Sequence, residues 1–374
     1  MRRGGWLCLV VLLAGGVSAG ELSGRLRLQL AQEYDSNAVR ENRPDAPDDF
    51  LTRLIIQAAL GYAAAEQRLG LELRTGGKLF YRQTAQHQLA TRLVASYRFR
   101  PRPDRVTGLR LCLHDASQIE HTRDYLLLQA EAFGRLTLLD RLGVEAFISG
   151  RRYAFKPDGQ ELLQVETPAG TAPIHFSHLG PRLGLRLDLR LAESWTGWLS
   201  YAFGVRFFDQ PAYRYDAAGA LYAPRAQDHQ DLRHVTALRL RYRTRWLREL
   251  LLIAQSSYSL SYNDSNSTGF SAIWHRWRAV LSLQLPLDLS LHLMGTVQLT
   301  RYPEGRNLLL DYYEPDADEN ENTFVARLAW RFWEELRLEL QLAIYRDDFQ
   351  YGSAGQPCLE RETVMLGLSW DWHF

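Results

Sequence analysis

Apolar and polar residues alternate with a period of two along most of the chain. Arg182–Leu191 reads R-L-G-L-R-L-D-L-R-L, Leu287–Leu293 reads L-D-L-S-L-H-L and Glu335–Leu342 reads E-L-R-L-E-L-Q-L. A period of two places one residue set on each face of a β-strand, whereas an α-helix would distribute these leucines around its whole circumference. The pattern therefore predicts an all-β protein whose strands each have an apolar face and a polar face.

The alternating segments number sixteen when they are separated at their turn and loop residues. We expect strands near 22–34, 50–63, 68–81, 89–100, 105–115, 124–138, 142–154, 176–191, 195–208, 232–245, 248–262, 271–285, 287–302, 323–333, 335–346 and 361–374. Fourteen strands remain an alternative, because the turn near Trp246 contains no Gly or Pro and residues 124–152 also fit an amphipathic helix.

Connections between the predicted strands alternate between short and long. Tight turns such as Leu139–Arg141 and Ala192–Ser194 follow the even-numbered segments, and longer polar stretches such as 155–175 and 303–322 follow most odd-numbered ones. An even strand number with short turns at one end and long loops at the other predicts a transmembrane antiparallel β-barrel with both termini on the periplasmic side. A secreted β-sandwich or β-solenoid is the alternative.

Aromatic residues at the ends of the predicted outward rows favour the barrel. The pairs are Tyr97 and Phe99, Phe203 and Phe207, and Trp330 and Phe332. Aromatic girdles of this kind mark the two interfaces of lipid-facing strands, and a packed soluble core does not require them.

The last predicted strand ends on the final residue of the chain. Every second position from Val364 to Phe374 is apolar, and the row closes with Trp370, Trp372 and Phe374. This row resembles the terminal strand of Gram-negative outer-membrane β-barrels. The resemblance implies a place in the cell outer membrane, surrounding lipid and lipopolysaccharide as partners, and recognition of Trp370, Trp372 and Phe374 by the barrel-assembly machinery.

The N-terminus has the features of a secretory signal peptide. Arg2 and Arg3 precede the apolar run 6–17, and Val17-Ser18-Ala19 provides small residues before Gly20. We therefore expect a removable signal peptide over 1–19 and a β-barrel domain over 20–374. The alternative is an N-terminal anchor helix, for which the apolar run is short.

Charge becomes informative only when it is assigned to strand faces. Lys and Arg (44) nearly balance Asp and Glu (43), and removal of Arg2 and Arg3 makes this 42 against 43. If the leucine rows face outward, however, the opposite parity is rich in arginine and poor in acids, because many acids lie in the loops, as in Asp311–Glu321. The candidate anion-binding residues of the lumen are Arg182, Arg186, Arg190, Arg239, Arg241, Arg243, Arg276, Arg278, Arg327 and Arg331.

An arginine-rich wall around a water-filled pore favours anions over cations. We therefore predict a porin-like channel for passive passage of anionic solutes, without a cofactor or nucleic-acid partner. A homo-oligomer is consistent with this architecture. The alternative is that inward arginines pair with acids and only stiffen the wall.

The first predicted strand supports a second function. Glu33–Asn37 reads E-Y-D-S-N, which is similar to the Tyr-Asp-x-Asn element of barrels linked to exopolysaccharide export and surface-lipoprotein assembly. The resemblance implies an accessory barrel for export of an acidic polysaccharide or placement of a surface protein. An Asx-type turn explains Asp35 and Asn37 equally well.

Other chemistry finds little support in the sequence. His114, His292 and His373 have lumen parity but lie near no Ser or acid cluster at catalytic spacing, and no zinc-protease or haem motif is present, so we expect neither an enzyme nor a metal site. Asp311–Glu321 lacks regular calcium-loop spacing. A disulfide between Cys112 and Cys358, which would hold the last long loop in the pore, remains a hypothesis.

Overall fold

The computed structural model describes residues 20–38, 46–118, 124–139, 141–155, 164–167, 170–173, 176–215, 221–222, 227–246, 250–303, 322–347 and 359–374. The predicted signal peptide, the acidic run 311–321 and Cys358 lie outside these residues. Within them, no helix is long and apolar enough to cross a membrane.

Sixteen antiparallel strands form one closed barrel, as the alternation predicts. They are β1 (Glu21–Asp35), β2 (Asp49–Ala63), β3 (Gln67–Phe80), β4 (Gln88–Arg102), β5 (Arg105–Gln118), β6 (Tyr125–Leu138), β7 (Leu142–Phe155), β10 (His178–Arg190), β11 (Trp195–Pro211), β14 (Asp228–Trp246), β15 (Leu250–Ser265), β16 (Ala272–Gln284), β17 (Leu289–Arg301), β18 (Asn322–Arg331), β19 (Leu336–Asp347) and β20 (Leu359–His373). The fourteen-strand alternative is wrong, because 124–152 forms most of the β6–β7 pair and β14 pairs with β15 from Asp231 to Trp246.

Four short strands in the long loops escaped the sequence reasoning. They are β8 (Gln164–Thr167), β9 (Gly170–Pro173), β12 (Arg214–Tyr215) and β13 (Leu221–Tyr222), and they form a separate sheet in the order β12-β13-β8-β9. A 3₁₀ turn at Thr84–Gln86 lies in another loop. Strands of two to four residues are too short to show a hydrophobic period, so the pattern could not reveal them.

The barrel closes where the first strand meets the last. β1 pairs with β2 on one side and with β20 on the other, from Arg25 opposite His373 to Asp35 opposite Thr363. The main chains of Gly24 and Phe374 extend this seam, because Gly24 N–H donates to Phe374 O at 2.8 Å and Phe374 N–H donates to Gly24 O at 3.0 Å. Closure leaves no unpaired sheet edge, which is a requirement for strands that cross lipid.

The two strand faces have the predicted polarity. Leucines of the outward rows are highly exposed, as Leu183 (55%) and Leu185 (52%) on β10 show, whereas inward Leu51 and Met365 are at most 1% exposed. Outward Trp195 and Phe203 are eight residues apart on β11. At ~3.3 Å per residue and a tilt of ~40°, they are separated by ~20 Å along the barrel axis, close to the ~25 Å apolar band of outer-membrane barrels.

Candidate functional site: an arginine-lined lumen

Strand register decides which predicted lumen residues share one surface. Asp188 lies opposite Trp198, Trp198 opposite Arg239, Arg239 opposite Ser257, and Ser257 opposite Arg278. All five residues belong to the inward parity, so one continuous row crosses β10, β11, β14, β15 and β16. The register thus brings Arg239 and Arg278, two of the ten candidate arginines, into one row.

Four arginines follow one another along the periplasmic half of β14. We call Arg239, Arg241, Arg243 and Arg245 the arginine column; they alternate along the strand and are ~7 Å apart. Their inward neighbours on β15 are Ser257, Gln255, Ile253 and Leu251, none of which carries a charge. Among the described residues, no carboxylate oxygen lies within 4.0 Å of the column. The column is therefore a run of like charge that this part of the wall does not neutralise.

Arg276 and Arg278 extend the basic surface onto β16 through polar contacts. The Arg276 Nε–H donates to Gln298 Oε1 at 2.9 Å, and an Arg278 Nη2–H donates to Met294 Sδ at 2.8 Å. Between β14 and β16, β15 contributes hydroxyl groups, including Ser257 opposite both Arg239 and Arg278. This wall can offer several hydrogen-bond donors to a passing anion.

Other candidate arginines are bound to acids, as the pairing alternative predicts. Arg186 contacts Glu145 Oε1 at 2.5 Å and Glu131 Oε2 at 3.2 Å, and its guanidinium lies 4.1 Å from the centre of the Phe147 ring. Arg182 lies 5.6 Å from the same ring centre. The β6–β10 wall is thus braced by ion pairs and by cation–π contacts.

Glu339 is the centre of a second braced region. This carboxylate is fully buried and accepts hydrogen bonds or ion pairs from Arg27 (2.5 Å), Arg327 (2.5 Å), Gln29 (2.7 Å) and Ser369 (3.1 Å). These partners lie on β1, β18 and β20, so the network joins both sides of the closing seam. Arg327 therefore supports the wall, although the sequence alone suggested an anion contact.

Arg331 and the predicted inward acids near it lie at a periplasmic turn. Arg331 Nη2 contacts Asp288 Oδ1 at 2.7 Å, and Asp288 has a φ of 57° in the turn before β17. If the leucines of the run Glu335–Leu342 face outward, the alternation assigns Glu335 to the lumen; this assignment is wrong, because Glu335 Oε2 accepts a hydrogen bond at 2.6 Å from the indole of outward Trp370. Strand parity cannot be continued through a turn, where successive residues do not alternate.

The predicted assembly residues lie on the outer face beside the seam. Trp372 (43% exposed) and Phe374 (56%) have ring centres 5.1 Å apart. Gly24 provides the space for Phe374, because a Cβ at Gly24 would lie 1.9 Å from the Phe374 Cζ. The structure thus places these side chains on the outer surface, where another protein can reach them.

At the extracellular end, an inward-facing aromatic ladder crosses five neighbouring strands and one loop. Successive ring centres are 4.0–5.3 Å apart. The ladder consists of Tyr125, Tyr153, His178, Phe208, His229 and Phe270.

All six rings are at most 6% exposed, and Phe176 and Tyr213 from the loops are buried with them. Burial raises the pKa of Tyr213 to about 12. Loop residues therefore cover this side of the extracellular mouth.

A polar cluster beneath the ladder was also missed by the sequence reasoning. His229 Nε2 lies 2.9 Å from Asp231 Oδ1 and 3.1 Å from Ser265 Oγ, and Asn263 Nδ2 donates to Asp231 Oδ2 at 2.9 Å. In a Ser-His-Asp triad the hydroxyl and the carboxylate contact opposite ring nitrogens, whereas here both contact Nε2. His229 and Asp231 are also fully buried, so the cluster fits a structural role. The sequence does place several polar residues on the inward face of strands where they end in long loops, and this pattern could have indicated the cluster.

The Tyr-Asp-x-Asn element forms both the turn and a seam contact. The Asn37 N–H donates to Asp35 Oδ1 at 3.2 Å, as expected of an Asx turn. The Asp35 carboxylate also binds the Arg361 guanidinium of β20, with Nη2 at 2.7 Å from Oδ2. The element therefore has a structural explanation in this chain.

Comparisons with known proteins add a resemblance in architecture. No family model and no curated protein matches the chain. A solved bacterial polysaccharide outer membrane secretin is 9% identical, with 93% of this chain and 98% of that chain covered and a TM-score of 0.45. Pseudomonas aeruginosa OccK1 (OpdK) is 12% identical over 95% and 99% of the two chains, with a TM-score of 0.45. Acinetobacter baumannii OccAB2 is 10% identical over 95% and 98%, with a TM-score of 0.44.

The barrel itself has the features of an outer-membrane protein. A closed barrel with an even number of strands, short turns at the end that holds both termini, longer loops at the other end and an apolar exterior combines the features of outer-membrane strands. The chain is therefore a sixteen-stranded antiparallel β-barrel of the type found in Gram-negative outer membranes.

Proposed function

We propose that this protein is a porin-like channel of the cell outer membrane whose arginine-rich lumen passes anionic solutes. The same proposal includes a cleaved signal peptide, contact with lipid and lipopolysaccharide, and recognition by the barrel-assembly machinery. The observation that carries the proposal is the arginine column, which faces a neutral, hydroxyl-bearing wall. Fixed positive charge along a pore lowers the barrier for anions and raises it for cations.

The bound arginines restrict this proposal to part of the lumen. Glu131 and Glu145 balance the charges of Arg110 and Arg186, so that region contributes little net charge, whereas the single carboxylate of Glu339 offsets only one of the two arginines, Arg27 and Arg327, that touch it. The arginine column on β14 therefore supplies a selective surface. Anions would pass preferentially along this column.

Reversal potentials in planar bilayers test the proposal. In a potassium chloride gradient, we expect the protein to form a steady open channel. Its reversal potential should lie closer to the equilibrium potential of chloride than to that of potassium. The variant Arg239→Gln/Arg241→Gln/Arg243→Gln should lose most of this preference while retaining conductance. A cation preference of the unmodified protein would refute the proposal.

A matched control removes the same charge outside the lumen. Arg100, Arg102 and Arg105 lie at the exposed periplasmic turn between β4 and β5, where Arg100 Nη2–H donates to Pro103 O at 2.7 Å. Their triple replacement by Gln should leave the reversal potential unchanged. Equal shifts in the two triple variants would mean that the arginine column does not determine selectivity.

Export of an acidic polymer is the second candidate. The observation in its favour is the asymmetry of the lumen, which is basic at the periplasmic end of β14 and has buried aromatic rings at the extracellular end. A polymer exporter that needs a partner to open its outer end would be silent in the bilayer, whereas a porin conducts alone.

A further inference from the structure

A cavity of about 350 Å³ opens at the periplasmic end of the lumen, between the β6–β7 turn and strands β10 and β11. Its polar and aromatic lining consists of Arg135, Thr137, Arg141, Asp188, Arg190, Thr196 and Trp198. The volume lies within the range of roughly 300–1,000 Å³ that is typical of ligand pockets. Apart from Arg190, none of these residues is among the ten candidate anion-binding arginines.

The charges in the cavity do not cancel. Asp188 Oδ2 is 2.7 Å from Arg135 Nη2 and is occupied by that contact. Gly143 permits it, because a Cβ there would lie 2.8 Å from the same Arg135 nitrogen. Among the described residues, no carboxylate oxygen lies within 4.0 Å of Arg141 or Arg190. Two guanidinium groups therefore remain available to a ligand.

The backbone holds these two arginines in a defined relation. The Arg190 N–H donates to Arg141 O at 2.8 Å, which ties the β6–β7 turn to β10. Guanidinium groups present planar pairs of donors that match the two oxygens of a carboxylate. The preferred ligand group is therefore an anion, and the geometry of the donors suits a carboxylate.

Trp198 adds an aromatic surface next to the arginines. It lies between Asp188 and Arg239 in the lumen row, and the Arg239 guanidinium is 5.9 Å from its ring centre. An indole provides a large apolar face, on which the C–H face of a sugar ring can pack. A small inorganic anion would contact only the guanidinium groups and would not need the indole face.

We propose that this cavity binds an acidic sugar residue, with the carboxylate on Arg141 and Arg190 and the pyranose ring on Trp198. Because Trp198 adjoins Arg239, the site lies beside the arginine column. A role of the site in the passage of anions rests on the proposed channel function, whereas the binding site itself does not.

Calorimetric titration of the detergent-solubilised full chain tests the site, with trigalacturonate as the probe. Arg190→Gln should weaken binding by about ten-fold or more, since a hydrogen bond to a charged group is lost. Trp198→Leu should weaken trigalacturonate binding but not acetate binding, and Trp198→Phe should restore most of the affinity. Arg68→Gln, which removes an exposed lumen arginine at the periplasmic end of β3, should change the affinity by less than about two-fold.

Three results would overturn the assignment. Equal affinity for trigalacturonate and neutral maltotriose would exclude charge recognition. Equal affinity for trigalacturonate and acetate would indicate an adventitious anion only. Equal losses in Arg190→Gln and Arg68→Gln would mean that the cavity is not the binding site.

The titration is independent of the channel experiment. Absence of anion preference in the bilayer would refute the proposed function while trigalacturonate binding still identified the site. Anion-selective conductance without trigalacturonate binding would refute the site and leave the channel in place.

Discussion

The ion pair between Asp35 and Arg361 offers a quantitative test of how the barrel seam is held. The Arg361 Nε lies 2.8 Å from Asp35 Oδ1 and its Nη2 lies 2.7 Å from Oδ2, and the side chains of Asp35 and Arg361 are only 1% and 5% exposed. Replacement of Asp35 by Asn keeps the shape and retains an oxygen for the Asx turn, but it removes the buried carboxylate charge that the Arg361 guanidinium contacts.

Removal of one partner from a buried ion pair costs about 3–5 kcal/mol. We therefore expect Asp35→Asn to lower the free energy of unfolding by at least about 3 kcal/mol. Urea titrations of the folded barrel in detergent micelles, followed by tryptophan fluorescence, measure this difference. The change should be smaller in Asp35→Asn/Arg361→Met than in Asp35→Asn, because the second substitution removes the buried positive charge that Asp35 balanced.

An exposed pair in the neighbouring hairpin serves as the control. Arg346 Nε lies 3.8 Å from Glu360 Oε1, with 55% and 71% of the two side chains exposed. Glu360→Gln should lower the free energy of unfolding by less than about 1 kcal/mol. If Asp35→Asn and Glu360→Gln cost the same, the seam does not depend on the buried pair, and burial is the wrong criterion.

Four further substitutions test other parts of the structure. Glu339→Gln should cost about 3 kcal/mol in the same urea titration, since it leaves two arginines without their shared buried carboxylate; a cost below about 1 kcal/mol would contradict this. Phe270→Ala should lower the free energy of unfolding by about 3–5 kcal/mol and increase single-channel conductance if the aromatic ladder narrows the extracellular mouth; unchanged conductance would mean that it does not. Gly24→Val places side-chain atoms where the ring of Phe374 lies, so the fraction of closed barrel, measured as the heat-modifiable band on a denaturing gel, should decrease relative to Gly134→Val, where an added Cβ meets nothing within 4 Å. Burial favours the neutral form of Tyr213, so its contribution to stability is present below about pH 10 and is lost as the pH rises towards 12. Urea titrations should therefore give a lower free energy of unfolding at about pH 11 than at about pH 9. This decrease should be smaller in Tyr213→Phe, because the variant has no phenol to ionise.

The sequence by itself determined the strands and their faces, because both depend on local order. Side chains that alternate along one strand must point to opposite sides, so Leu183 could be assigned outward and Arg182 inward without knowledge of any neighbour. The even strand number followed from the number of alternating segments. Only where the alternation ends, as at Glu335 and in the four short loop strands, did the prediction fail.

Tertiary structure alone decided what each inward side chain touches. Arg327 and Arg239 look alike in the sequence, yet one binds the buried carboxylate of Glu339 and the other lies over Trp198 beside neutral residues. Partners across a barrel are set by strand register and by closure, which joins residues more than 300 positions apart, such as Arg27 and Glu339. The net charge at one point of the lumen is the sum of the charges of the neighbouring side chains. The alternation of apolar and polar residues along one strand does not determine which side chains of other strands are those neighbours.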